Sequence, residues 1–142
     1  MARILPYSTA CIFDTFNSTR KLKLWQMKFQ PGFEIYKSTL VLGPNNLSGL
    51  FPPSMFNIST ITLSNLVGNQ LTGYLPSTLG YSLLNLEFLA LGINKLMGTI
   101  PNSITNASKL IGLDLSSNSF SGLIPNTYGS LRFLSELFLG FN

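Results

Sequence analysis

The chain has 142 residues, 45% of them hydrophobic and only 10% charged, with a net charge of +4 and no histidine. That balance predicts a single folded, leucine-rich chain and excludes a disordered, charge-extended one. No apolar run approaches the roughly 18 residues that a membrane span needs, the lone Cys11 leaves no internal disulfide, and no residue set suggests a metal or a cofactor.

Residues 1–36 keep no period. The opening Met1-Ala2-Arg3 leads into a short apolar stretch interrupted by Pro6, which is a poor secretory signal. Leu22, Leu24 and Phe29 imitate the spacing found further on, but Met27 and Pro31 stand where Asn and Gly belong. Met27 also lies 18 residues before Asn45, less than the ~20 that a turn of a repeat requires. This is an irregular N-terminal segment, a degenerate repeat or an aberrant junction. Arg20, Lys21, Lys23 and Lys28 gather there beside Trp25 and Phe29, while Lys37, Lys95, Lys109 and Arg132 are scattered. A solvated face is the expectation, and nucleic acid is not an expected partner.

From residue 37 the chain repeats. Asn45, Asn69, Asn94, Asn118 and Asn142 follow one another at intervals of 24, 25, 24 and 24 residues. Each of the four complete units has an apolar residue three before its Asn (Leu42, Leu66, Leu91, Leu115) and another two after it (Leu47, Leu71, Leu96, Phe120). Gly follows at plus four (Gly49, Gly73, Gly98, Gly122) and Pro at plus seven (Pro52, Pro76, Pro101, Pro125). The chain stops at Asn142 inside a fifth unit begun by Leu134, Leu137 and Leu139, so a fragment of a longer array, or a truncated gene product, is expected.

This pattern resembles a leucine-rich repeat, and the Leu71-Thr-Gly73-Tyr-Leu75-Pro76 type of second half resembles the plant subtype found in ectodomains of receptor-like kinases and receptor-like proteins. The resemblance implies an α/β-type solenoid. In it a leucine-rich-repeat right-handed superhelix carries a parallel β-sheet on the concave face and short 3₁₀ or α turns on the convex face. A unit of this size cannot bury its own apolar face, so stability comes from stacking. The cysteine-paired caps usual in such ectodomains are absent from this sequence.

Within a unit the residues point to roles. The L-x-L cores, such as Leu89-Ala-Leu91 and Leu113-Asp-Leu115, alternate with period two and predict short strands. The Asn after each strand is placed to satisfy backbone groups of its own loop and the adjoining one; the resemblance implies an Asn ladder through Asn45, Asn69, Asn94, Asn118 and Asn142. Gly at plus four admits backbone angles that other residues resist, and Pro at plus seven fixes φ where the chain bends away. Met55, Leu79, Ile104 and Tyr128, with Ile58, Ala107 and Leu131 three residues further on, predict inward-facing helical turns. The second unit is irregular: it carries one extra residue near Tyr81-Ser82-Leu83-Leu84, and Ser64 takes a leucine position beside Leu63, so a bulge is expected there.

Catalysis is not expected. The five carboxylates are dispersed, and no kinase motif occurs, so any kinase activity would belong to a C-terminal domain outside this sequence. Binding is expected on three outward rows of the sheet. The first runs Thr39, Leu63, Phe88, Gly112, Glu136; the second Val41, Asn65, Ala90, Asp114, Phe138; the third Gly43, Val67, Gly92, Ser116, Gly140. Leu63, Asn65, Phe88, Ala90, Asp114, Ser116, Glu136 and Phe138 are the candidate contacts, with Phe88 and Phe138 either recognition anchors or covers for a neighbouring strand. Sequons at Asn17, Asn46, Asn57 and Asn106 are candidate N-glycosylation sites. The resemblance implies an extracellular or plasma-membrane receptor context, a peptide or protein ligand, and a co-receptor. The alternatives are a secreted enzyme inhibitor similar to the polygalacturonase-inhibiting proteins, or a truncated product with no independent role.

Overall fold

The computed structural model describes residues 38–51 and 61–142. The irregular segment 1–36, with Asn17, lies outside them, as do Pro52, Met55, Asn57 and Ile58. In chain order the elements are β1 (Ser38–Val41), β2 (Ser48–Leu50), β3 (Ile61–Asn65), β4 (Gln70–Tyr74), α1 (Leu79–Ser82), β5 (Phe88–Ala90) and β6 (Lys95–Thr99). A 3₁₀ turn over Asn102–Asn106, β7 (Gly112–Asp114), β8 (Ser119–Ser121), a second 3₁₀ turn over Asn126–Ser130 and β9 (Glu136–Phe138) complete the described chain.

Two parallel sheets result. The first is ordered β1-β3-β5-β7-β9 and the second β2-β4-β6-β8, so each neighbour within a sheet comes from the adjacent repeat. Parallel pairing demands a long crossover, and here the remainder of each unit supplies it. The strands are short because only the L-x-L residues have the two-residue alternation; Leu89 and Leu91, then Leu113 and Leu115, point inward and are buried.

The core is a column between the sheets and the turns. Leu71, Leu96 and Phe120 enter it from the second sheet, and Leu79, Ile104, Ala107 and Leu131 from the helical turns. Each such leucine contributes about 1.5–3 kcal/mol by leaving water, and most of its neighbours belong to the units above and below. Tyr128 is only partly buried against this core.

The second unit shows how an extra residue is absorbed. Where the third and fourth units make 3₁₀ turns, it makes one α-helical turn over Leu79–Ser82, with Tyr81 exposed. Gly80 is obligatory there, because a Cβ would collide with the carbonyl oxygen of Ser103 in the next turn. A separate bulge sits at the sheet, in an interval of ordinary length: Ser38 pairs with Ile61 but Thr39 with Leu63, which leaves Thr62 out of the register. Ser64 then falls into the inward leucine row between Leu40 and Leu89, 1% exposed, with its hydroxyl lacking a hydrogen-bond partner.

The second sheet is a structural element that the sequence reading did not contain. Leu71-Thr-Gly-Tyr-Leu75 does alternate, but Gly and Pro within a few residues read as a turn. The glycine is compatible with the strand because of a second requirement beside its φ. Gly98 has φ +87°, and a Cβ on it would lie 2.5 Å from Tyr74 Cδ1, so the ring of one unit occupies the space left by the glycine of the next.

Candidate binding surface

Register places the outward residues of the first sheet in rows. Leu63 pairs with Phe88, Phe88 with Gly112 and Gly112 with Glu136; Asn65 pairs with Ala90, Ala90 with Asp114 and Asp114 with Phe138. Beyond the strand ends the third row continues through loop hydrogen bonds, from Gly68 N to Gly92 O, Ile93 N to Ser116 O and Ser117 N to Gly140 O.

The middle row has a built-in polar device. Asp114 Oδ1 accepts from the Ser116 backbone N–H at 2.9 Å and from the Ser116 hydroxyl at 2.6 Å. Asn65 Oδ1, two positions along the same row, accepts from the Val67 N–H at 3.1 Å. Both side chains close the turn that ends their strand, so one oxygen of Asp114 is structural. The other, Oδ2, projects over Gly92, 2.6 Å from where a Cβ would stand.

The aromatics differ. Phe88 is half-buried and lies across Gly112, whose Cβ position is 2.7 Å from Phe88 Cδ1. It therefore covers its neighbouring strand with one side and faces solvent with the other. Phe138 on β9 is 55% exposed. Glu136 reaches back over Gly112, its Oε2 lying 3.5 Å from the same point that the Phe88 ring approaches.

Behind this face the asparagines tie unit to unit. Asn69 Oδ1 accepts from Leu47 N at 3.0 Å, while its Nδ2 donates to Leu42 O of the unit before and Leu66 O of its own. Asn94 repeats this with Leu71 N, Leu66 O and Leu91 O, and Asn118 with Leu96 N, Leu91 O and Leu115 O. Asn142 accepts from Phe120 N and donates to Leu115 O and Leu139 O. Asn45 is different: among the described residues its side chain bonds only to Leu42 O of its own loop. To aim the amide inward the preceding residue takes a left-handed conformation, and at Ile93 (φ 54°) and Ser117 (φ 52°) that residue carries a side chain.

Asn46 and Asn106 are exposed. The described residues hold no cluster of three metal-ligating side chains and no helix long and apolar enough to cross a membrane. A shallow hollow of about 180 Å³ lined by Ile100, Phe120, Ile124, Leu139 and others borders the second sheet, away from the rows described above. On the turn side, the buried hydroxyl of Tyr128 lacks a partner, and burial pushes its pKa up to about 12.

Stacked units of one period, two parallel sheets and asparagines bonded into the preceding unit define a leucine-rich-repeat solenoid. The leucine rich repeat family matches residues 109–131. The chain is similar to a chain of the BIR3–SERK2 complex from Arabidopsis thaliana, with TM-score 0.64 and 37% identity over 67% of this chain and 50% of that one. It is similar also to a chain of the Arabidopsis receptor kinase HAESA in complex with the peptide hormone IDA and the co-receptor SERK1 (TM-score 0.69, 38% identity, 72% of this chain and 17% of that one). The plant peptide hormone receptor RGFR1 in complex with RGF2 gives TM-score 0.69 and 37% identity over 72% of this chain and 16% of that one. The chain thus spans half or less of each of these structures. No curated protein sequence matches it. The chain is a plant-type leucine-rich-repeat protein similar to the ectodomains of receptor kinases.

Proposed function

We propose that the chain recognises an extended peptide or a partner protein on the solvent face of its first sheet, around Phe88 and Asp114. The observation that carries this is the half-buried Phe88: its ring is fixed by packing across Gly112 yet keeps one side in solvent, a pre-ordered apolar anchor beside a carboxylate. Leu63, Asn65, Ala90, Ser116, Glu136 and Phe138 extend the same surface through the pairings above. The likeness to a chain of the HAESA complex with a peptide hormone and a co-receptor supports the same reading.

In this reading the protein works outside the cell as the sensing part of a larger receptor. Kinase activity resides in a separate domain, a co-receptor joins on ligand binding, and glycans occupy Asn46 and Asn106. The test is selection of a phage-displayed random peptide library on the chain. Peptides enriched on it are then measured on the Phe88→Ala, Asp114→Ala double variant and on a Tyr74→Ala, Met97→Ala control altered in the second sheet. Loss of binding in the first variant alone supports the assignment; equal affinity in both refutes it.

A further inference from the structure

Charge is segregated among the described residues. The carboxylates Glu87, Asp114 and Glu136 stand in strands of the first sheet or immediately before one, whereas the cations stand elsewhere: Lys95 on β6 of the second sheet, Lys109 and Arg132 in the turns that precede β7 and β9. Lys95 Nζ donates to Gln70 Oε1 at 3.4 Å and Lys109 Nζ to Asn85 Oδ1 at 2.7 Å. The whole chain is nonetheless basic, at +4, so the acidity of this one face is local and runs against the net charge.

We propose that the peptide seated on the first sheet carries a lysine or arginine whose cationic head lies on the solvent side of the Phe88 ring, beside the carboxylates of Asp114 and Glu136. The inference rests on the recognition reading above and names the chemistry of its ligand. Gly112 stands between Phe88 and Glu136 in the first row, and because it lacks a side chain the Phe88 ring lies across it with Glu136 Oε2 bordering the same space, which brings ring and carboxylate together. Asp114 is two residues along the same strand, with Oδ1 held by Ser116 and the carboxylate lying over Gly92. An aromatic ring and two carboxylates in adjacent rows of one face attract a cation by charge and by the ring quadrupole together, and they repel an acidic segment. A peptide fits better than a free cation, since the rows continue on both sides with Leu63, Asn65 and Phe138, surface that an amine alone leaves uncovered.

The test selects a phage-displayed random library on the intact chain, on an Asp114→Asn, Glu136→Gln variant and on Phe88→Ala, after matched melting temperatures confirm each fold. Asp114→Asn is expected to keep its turn, because Asn65 makes the same type of bond at the equivalent position. The expected result is that peptides selected on the chain share Lys or Arg at one position, and that changing it to Gln weakens binding about tenfold on the chain and not on the charge-neutral variant. Cation-free peptides that still need Phe88 overturn the charge assignment and leave the recognition reading standing. Absence of any Phe88-dependent binder overturns both. Competition by free spermidine as strong as by the peptide overturns the peptide as occupant.

Discussion

Truncating Asn94 and Asn45 to alanine separates the inter-unit role of the asparagines from their local one. Asn94 accepts from Leu71 N at 3.1 Å and donates to Leu66 O, Leu91 O and Gly92 O at 3.0, 2.9 and 3.1 Å. The three carbonyls have second donors: Leu66 O receives Asn69 Nδ2, Leu91 O receives Asn118 Nδ2, and Gly92 O receives Gly68 N. The Leu71 N–H loses its acceptor, and Leu71 is buried in the core. An orphaned buried donor costs about 1–3 kcal/mol, and the lost bonds add about 1, so Asn94→Ala is expected to cost about 3 kcal/mol. Asn45 is exposed and among the described residues its side chain bonds only to Leu42 O of its own loop, so Asn45→Ala, which keeps the backbone bond to Gly68 O, is expected to cost under about 1 kcal/mol. Urea denaturation followed by circular dichroism measures both, and amide exchange at Leu71 reports the orphaned donor directly. Equal costs for the two variants, or unchanged protection of Leu71 in Asn94→Ala, would refute the reasoning.

Three further substitutions probe the backbone and the buried hydroxyl. Gly98→Ala is expected to destabilise by about 1–2 kcal/mol through its positive φ and contact with Tyr74, and to cost less in a Tyr74→Ala background, which thermal melts of a double-mutant cycle resolve. Ile93 is exposed at φ 54°, so Ile93→Gly is expected to stabilise by about 1 kcal/mol in the same melts despite the entropy that glycine adds to the unfolded chain. Tyr128, raised to about 12 by burial, has a folded pKa above its unfolded one; its contribution is fully present below pH 10 and lost as pH rises from 10 through 12. A two-unit shift has a ceiling near 3 kcal/mol, and partial exposure of the ring reduces it to about 1. Tyr128→Phe is expected to flatten that loss in melts taken between pH 9 and 11.5, and an unchanged slope counts against it.

The first sheet was legible because its signal is redundant: the leucine alternation, the asparagine after it and the period all give the same register, down to the Phe88–Gly112–Glu136 pairing. The second sheet was not, because its strands contain a glycine at positive φ, and that residue is equally the mark of a turn. The doubled conformation of the second unit was half legible. The misplaced Ser64 announced an irregularity at the strand and the extra residue one near Tyr81, but the bulge at Thr62 and the α-helical turn at Leu79–Ser82 that takes up the length depend on the neighbouring unit's packing. The structural duty of Asp114 was hidden as well. Asp-x-Ser at a strand end closes a turn only if the backbone bends there, and the sequence alone leaves Asp114 free for a ligand.

Recognition by the solvent face of the first sheet is tested most directly by site-specific crosslinking. A photoreactive phenylalanine placed at Ala90, between Asn65 and Asp114 in the middle row, is compared with one at Thr99 on the second sheet, using peptides selected on the chain. The account predicts a covalent adduct from position 90 and none from position 99. Adducts from position 99 alone would contradict it and move the binding surface to the second sheet.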